Sequence, residues 1–464
     1  MNHCASVIAS LAVLLGAAAH ADGVLDAGKK AWITELLKES GAPSVSVAIV
    51  EHGELVDARA FGKAALSPDR AADPATRYFV GSVSKQFTAA AILLAAEEGR
   101  LSLDDRVSRC YPELTRAGDI TIRQLLSHSS GYEDYAPQDY AIPEWAHPTS
   151  PDAVIKAWAG KPLDFEPGTR WQYSNTNYVL AARIFEKATG ESLVPFLRRR
   201  IFEPLGMSSA GDGYLERHAS DAVPYTRYAL GPPRPAVPEA PGWYQGAAEL
   251  AMTPSDLARW DIAVLRHRIL GERSYRDLTG EVSLKNGDRT HYALGLDVGD
   301  MDGIPRISHS GEVSGFLTYN FIFPTRDTAI VVCSNEDCVN VAGTIARQLA
   351  RWVTEPEEAA AGTASPAELK QVGSILDGLL RGTVDRSLLT PNASFYFSPA
   401  ALADIKSSLR PLGAVKSIER TRQEHRAGMT YRDYRVSFDK GDVEVSVYLT
   451  PQGRFEQFLI IQEF

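Results

Sequence analysis

Cysteine is scarce in this chain. Four occur in 464 residues, and Cys4 precedes a leading apolar run, which leaves Cys110, Cys333 and Cys338 beyond it. Three thiols so widely spread are no disulfide framework for a chain of this size, although Cys333 and Cys338 are near enough in sequence to pair. Cysteine–histidine clusters with zinc spacing are absent, as is His-Glu-x-x-His, so no metal and no other cofactor is expected. An excess of basic residues is missing too: 48 Lys and Arg stand against 58 Asp and Glu, a formal net charge of −10, with a pI near 5.6. That argues against nucleic acid or an anionic membrane as partner. After the first residues no apolar run approaches the ~18 residues of a membrane span. No internal repeat is visible. What is present is a 44% apolar fraction, enough for a sizeable core, in a chain long enough for two domains.

Residues 1–21 read as an export signal. "CASVIASLAVLLGAAA" is an apolar core of signal-peptide length, and Ala19-His20-Ala21 fits the small-x-small cleavage rule. The alternative, an uncleaved anchor, is disfavoured by the shortness of the run. A periplasmic location is the expectation. A second boundary falls at "TEPEEAAAGTASPAE", which has acidic residues, Ala, Gly and Pro but no bulky apolar side chain. This is linker composition, and it places a linker at 354–366 between a domain at 22–353 and a smaller one at 367–464.

The larger domain opens with "SVSVAIVEHGELVDARAFG", two alternating runs around His52-Gly53 that predict a β-hairpin. Near its end, "LTYNFIFP" and "TAIVVCSN" are strands separated by a turn, and "NVAGTIARQLARWV" is a closing amphipathic helix. Strands at both ends with helices between imply one antiparallel sheet whose edges come from the two termini. In the tail, helices over 369–381 and 399–409 precede three alternating runs, "TYRDYRVSF", "VEVSVYL" and "RFEQFLII", joined by turns. Helices followed by a meander indicate an α+β module.

The chemistry centres on "YFVGSVSKQFTAAAILLAAEEGR", which carries Ser82 and Lys85 at the mouth of an almost wholly apolar helix. Residues i and i+3 share a helix face, so the lysine amine can reach the serine hydroxyl. The free N–H groups and positive dipole of a helix N-terminus favour a developing oxyanion. Burial and that field can also bring a lysine down from its reference pKa of about 10.4 toward a useful base. The apolar half of the helix would seat the nucleophile on a rigid mount. Ser-x-x-Lys alone is weak, and Ser437 with Lys440 matches it at a strand end, where no helix begins. Two further stretches strengthen it. "WQYSNTNY" offers Tyr173 as a proton relay and Asn175 as an amide ligand, and "ISHSGEVSGF" places His309 and Gly311 on a strand that could carry a substrate along its edge.

With these motifs in this order, the chain resembles the penicillin-recognising serine hydrolases. It is most similar to the branch of class C β-lactamases, serine D-Ala-D-Ala carboxypeptidases and related esterases. "LSLDDRVSRCYPEL", "IRQLLSHSSGY", "RIFEPLGM" and "MTPSDLARW" add to the resemblance, which spans about residues 45–353. It implies an α/β (α+β) fold: a β-lactamase/DD-peptidase-like antiparallel sheet flanked by helices, plus an all-helical lobe. The tail resembles the cystatin-like or NTF2-like modules and would form a small α+β C-terminal domain. The resemblance also implies acyl transfer, with Ser82 as nucleophile and Lys85 and Tyr173 sharing the acid–base work. Asn175 would hold a substrate amide, and His309 and Gly311 would belong to the substrate strand. The backbone N–H groups of Ser82 and Glu312 would form the oxyanion hole. No G-x-S-x-G elbow is present.

The departure from the pattern is His309, where class C enzymes carry lysine. A histidine with a reference pKa near 6.5 is a poor permanent cation at pH 7, which weighs against an efficient β-lactamase. The expected substrate is therefore a D-amino-acid peptide or small ester of cell-wall-like kind, with β-lactam hydrolysis secondary. The alternatives are a penicillin-binding sensor or scaffold with little turnover, or a true class C-type β-lactamase. The tail could dock a partner, cover the site or stabilise a dimer. His128 reads as part of a structural turn. Tyr132, Tyr135 and Tyr140 are open between an aromatic rim and loop filler.

Overall fold

The computed structural model describes residues 24–301, 303–354, 364–426 and 429–461. The expected signal segment at 1–21 and most of the expected linker at 354–366 lie outside these. Strands β1 (Ser44–Glu51), β2 (Glu54–Leu66), β3 (Asp69–Ala71), β4 (Asp297–Met301), β5 (Ile304–Val313), β6 (Phe316–Phe323) and β7 (Thr328–Ser334) form one antiparallel sheet in the order β3-β2-β1-β7-β6-β5-β4. The expected hairpin is β1–β2, turned at His52 and Gly53, whose positive φ angles of 51° and 68° suit a tight hairpin. One sheet edge comes from the early strands and the other from the late ones. The two ends of the domain meet in the middle, where β1 pairs with β7 from Val45↔Ser334 to Val50↔Ala329.

Helices α1 (Ala27–Ser40), α2 (Ser84–Glu97), α3 (Asn175–Thr189), α4 (Pro254–Leu265) and α5 (Val341–Thr354) divide between the two faces. Val45, Val47, Ile49, Ile330 and Val332 pack with Ile33 of α1 and Ile345 and Leu349 of α5. Ala48, Val50 and Val331 share the opposite core with α2, α3 and α4. Successive strand residues point to opposite faces, so a sheet covered on both sides favours continuous apolar stretches such as 47–50 of β1 and 329–333 of β7.

Helix α2 runs through the larger core and is buried from Ser84 to Ala95. Its alanines let neighbouring helices approach, while Phe87, Ile92, Leu93 and Leu94 each supply roughly 1.5–3 kcal/mol of apolar burial. Its polar side chains are tied down. Gln86 donates to Asn320 and accepts from the Trp260 indole, both at 2.9 Å, and Thr88 donates to the Gly246 carbonyl at 2.7 Å.

The C-terminal domain has its own core. Helices α6 (Pro366–Arg381) and α7 (Pro399–Leu409) precede a four-stranded sheet of β8 (Val415–Arg426), β9 (Met429–Phe438), β10 (Gly441–Leu449) and β11 (Phe455–Ile461). Both helices start at a serine cap followed by proline. Strand β8, "VKSIERTRQEHR", has no apolar alternation to betray it. It is an edge strand, and of its described side chains Val415 and Ile418 pack against the core. The domain docks on the larger one: Ala229 lies inside its core, and Arg234 pairs with Asp404 at 2.5 Å.

Cys333 and Cys338 do not pair. All three described cysteines are free. Cys333 points into the sheet core beside Thr318, and the Cys338 thiol meets the Thr226 hydroxyl at 3.3 Å. No helix among the described residues is long and apolar enough to cross a membrane.

Candidate active site

Ser82 does not sit in the α-helix itself. It occupies a single 3₁₀ turn, Gly81–Val83, that runs into α2. In a 3₁₀ turn, side chains at i and i+3 eclipse, which lines Lys85 up with Ser82. Gly81 permits the turn through a φ of +52°. It also permits contact with β5, since a methyl group there would stand 2.5 Å from the Glu312 nitrogen. Gly311 is the reciprocal case. A methyl group on it would lie 1.9 Å from the Val80 carbonyl oxygen and 3.1 Å from the Ser82 nitrogen. The two glycines thus bring the backbone of Ser82 and Glu312 together.

Lys85 is fully buried and has three fixed oxygen partners. Its Nζ donates to Ser82 Oγ at 2.9 Å, to Asn175 Oδ1 at 2.8 Å and to the Ala247 carbonyl at 2.9 Å. An amide oxygen and a peptide carbonyl can only accept. Two amine hydrogens are therefore held in place, and the third tetrahedral position points at the serine. The nitrogen also lies 4.9 Å from the centroid of the Tyr173 ring.

Asn175 opens α3, and its amide is engaged at both ends within the protein. Its oxygen accepts from Lys85. Its nitrogen donates to Asp134 Oδ1 and to the Ala136 carbonyl, both at 3.2 Å, while its backbone N–H donates to the same Asp134 oxygen at 2.9 Å. Asn175 is thus held in one orientation by groups of the protein itself, at the wall of the space beside Ser82. Asp134 lies in "GYEDYAP", where sequence gave no reason to prefer it over Glu133. The Ala247 carbonyl was invisible because any residue can supply one.

His309 on β5 is buried, and both ring nitrogens are occupied. Nδ1 meets the Ser310 carbonyl at 2.5 Å and Nε2 meets the Tyr292 hydroxyl at 2.9 Å. A carbonyl only accepts, so Nδ1 carries a hydrogen, while Nε2 meets a hydroxyl that can donate or accept. Tyr292 stays protonated, its phenol pushed well above the usual range chiefly by burial.

Ser82, Tyr173, Asn175, His309 and Glu312 line one pocket of about 200 Å³, together with Tyr140, Glu239 and Arg422. Lys85 lies beneath it, and Gly311 backs the Ser82 turn. Glu239 is 5% exposed, its carboxyl raised by burial while Ser314 donates to it through both backbone and side chain. Of the three tyrosines left open, Tyr140 reaches this pocket. Tyr132 and Tyr135 are buried, with their hydroxyls on the Thr115 and Trp243 carbonyls. His128 is buried beside Tyr173, and its Nδ1 accepts from the Ser174 N–H at 3.2 Å, a structural role.

A serine hydroxyl held against a buried lysine amine, at the head of a buried helix, is the arrangement of a serine hydrolase. The chain belongs to the beta-lactamase family, whose model matches residues 30–355. It is 30% identical over 325 residues to penicillin-binding protein 4* of Bacillus subtilis (strain 168), covering 65% of this chain and 70% of that protein. In fold it is similar to the octameric penicillin-binding protein homologue from Pyrococcus abyssi, with a TM-score of 0.63 and 20% identity across 94% of this chain and 99% of the other. The D-amino acid amidase from Ochrobactrum anthropi SV3 matches at a TM-score of 0.59 and 22% identity, over 70% of this chain and 97% of its own.

Proposed function

We propose that this protein is an exported, periplasmic hydrolase that cleaves an amide or ester through an acyl-enzyme on Ser82. The three-point fixation of Lys85 carries the reading. With the amine neutral, its two hydrogens stay on Asn175 and Ala247 and its lone pair faces the serine O–H. Attack by Ser82 Oγ on the substrate carbonyl forms the ester bond while the serine proton passes to Lys85. Negative charge on the carbonyl oxygen is received by the N–H groups of Ser82 and Glu312, which the paired glycines bring together. Collapse expels the amine or alcohol, protonated from Lys85 by way of Tyr173. Water, giving its proton back along the same route, then releases the acid and restores the serine.

For substrate, the reading favours a D-amino-acid peptide, amide or small ester over a β-lactam. Its support is the histidine at 309, hydrogen-bonded to Ser310 and Tyr292, in the place of a permanently charged lysine. The D-amino acid amidase among the structural neighbours points the same way by fold alone. Residues 22–353 would form the hydrolase domain and 354–366 a linker.

A fluorophosphonate probe tests the nucleophile. Labelling of wild type that is lost in Ser82→Ala is the expected result. Equal labelling of the two proteins would place the reactive group elsewhere.

A further inference from the structure

The pocket around Ser82 does not end within the hydrolase domain. Arg422, on β8 of the C-terminal domain, forms part of its wall. Beyond Arg422 lies a groove of about 520 Å³ between the domains, walled by Tyr319 and Phe321 of β6 on one side and by Tyr431, Ser446 and Leu459 on the other. Asp139, Asp297, Ser310, Glu312, Asp337 and Arg422 line both spaces, so the two adjoin along these residues. The pocket of about 200 Å³ is below the ~300–1,000 Å³ common for small-molecule sites. Together with the groove it falls within that range.

The joint between the two spaces is held from the C-terminal domain. Gln457 on β11 is fully buried. Its Oε1 accepts from the Asp139 backbone N–H at 2.8 Å, and its Nε2 donates to Asp139 Oδ2 at 3.0 Å and to Ser446 Oγ at 2.8 Å. One residue further, the Tyr140 hydroxyl donates to the Glu456 carbonyl at 2.9 Å, and its ring packs 5.4 Å from that of Tyr396. Gln138, Asp139 and Tyr140 all line the pocket of Ser82. A buried amide satisfied at both atoms fixes its partner tightly, because any break leaves polar groups unpaired away from water.

We propose that the C-terminal domain is a wall of the substrate site. Gln457 is a positioning residue for the Asp139–Tyr140 segment. Arg422 contacts the part of the acyl donor that runs past Ser82 into the groove. The substrate class that uses this cleft is a peptide-sized acyl donor, since a minimal ester occupies only the space beside the serine. This rests on the acyl-enzyme reading above.

Two esters with one leaving group test it: 4-nitrophenyl acetate and the 4-nitrophenyl ester of N-acetyl-D-Ala-D-Ala-D-Ala. In the full chain, Gln457→Leu and Arg422→Ala should each lower the ratio of kcat/KM, tripeptide over acetate, by about tenfold, mostly through KM. Asp404→Asn, which breaks the remote ion pair to Arg234, should leave that ratio unchanged. An unchanged ratio in Arg422→Ala and in a folded Gln457→Leu overturns the proposal. So does an equal fall in Asp404→Asn, which would make the effect one of general docking. Wild-type protein inert toward both esters would sink the acyl-enzyme reading itself, and this proposal with it.

Discussion

Asp134 and Lys85 hold opposite ends of the Asn175 side chain. The aspartate takes the amide nitrogen and the lysine takes the amide oxygen. This fixes which way the asparagine faces, since a flipped amide would set its oxygen against a carboxylate and its N–H groups against the lysine amine. Asp134→Ala frees the amide to turn and should lower kcat about tenfold or more, with little change in KM for a small ester. A larger effect on KM than on kcat would place Asp134 at the substrate instead.

Removing the base should cost far more. Lys85→Ala leaves the serine hydroxyl without its proton acceptor, and general base and nucleophile activation together are worth ~10²–10⁴-fold or beyond. Stopped-flow acylation with 4-nitrophenyl acetate measures this directly. A rate within a few-fold of wild type would contradict the assignment.

The paired glycines give a steric prediction. Gly311→Ala forces a methyl group to within 1.9 Å of the Val80 carbonyl oxygen, so β5 and the Ser82 turn must move apart. Acylation should fall at least ~10²-fold as oxyanion contacts are lost, with a lower melting temperature. Gly99→Ala, where no atom lies within 4 Å of the added carbon, is the comparison, although its φ of +71° adds modest strain. Wild-type acylation in Gly311→Ala would rule out an oxyanion hole at this junction.

Glu249 braces the turn that presents the Ala247 carbonyl to Lys85, accepting from the Gly246 N–H at 2.9 Å. Burial, helped by the charge of Asp212, pushes its carboxyl from an ordinary 4.5 up to about 8. The folded state therefore holds this proton more tightly than the unfolded chain. Its contribution to stability falls as pH rises from about 4.5 to about 8 and levels off above. Glu249→Gln keeps an acceptor for Gly246 and removes the titration. Its melting temperature should exceed that of wild type by several degrees at pH 8, with the gap closing near pH 4.5. A gap that does not change with pH would show that Glu249 does not titrate in this window.

His309→Lys restores a permanent cation on β5 and should raise kcat/KM for carboxylate-bearing β-lactams relative to a neutral ester. An unchanged ratio would assign carboxylate recognition to another group, of which Arg422 is the first to examine.

Local patterns carried much of this in the sequence. The β1–β2 hairpin, the strands of β6 and β7 and helix α5 follow from period and turn residues, and α2 stood out because burial on every side requires an apolar run. Strand β8 was hidden because an exposed edge leaves no alternation to read. At the site, Ser82, Lys85 and Tyr173 were legible through motif spacing. Asp134, Gln457 and Arg422 were not, because each acts across a contact far apart in the chain. Asp139 and Gln457 are 318 residues apart, and only the docking of the two domains brings them together.

The central claim is that Ser82 carries the acyl group. Intact mass should be followed through a rapid-quench time course with the D-Ala tripeptide ester, in wild type and in Ser82→Ala. A transient increase equal to the acyl group is expected, mapped to Ser82 and absent from the variant, decaying as free acid accumulates. Product formed at wild-type rate by Ser82→Ala, or an acyl group mapped to another residue, would contradict it.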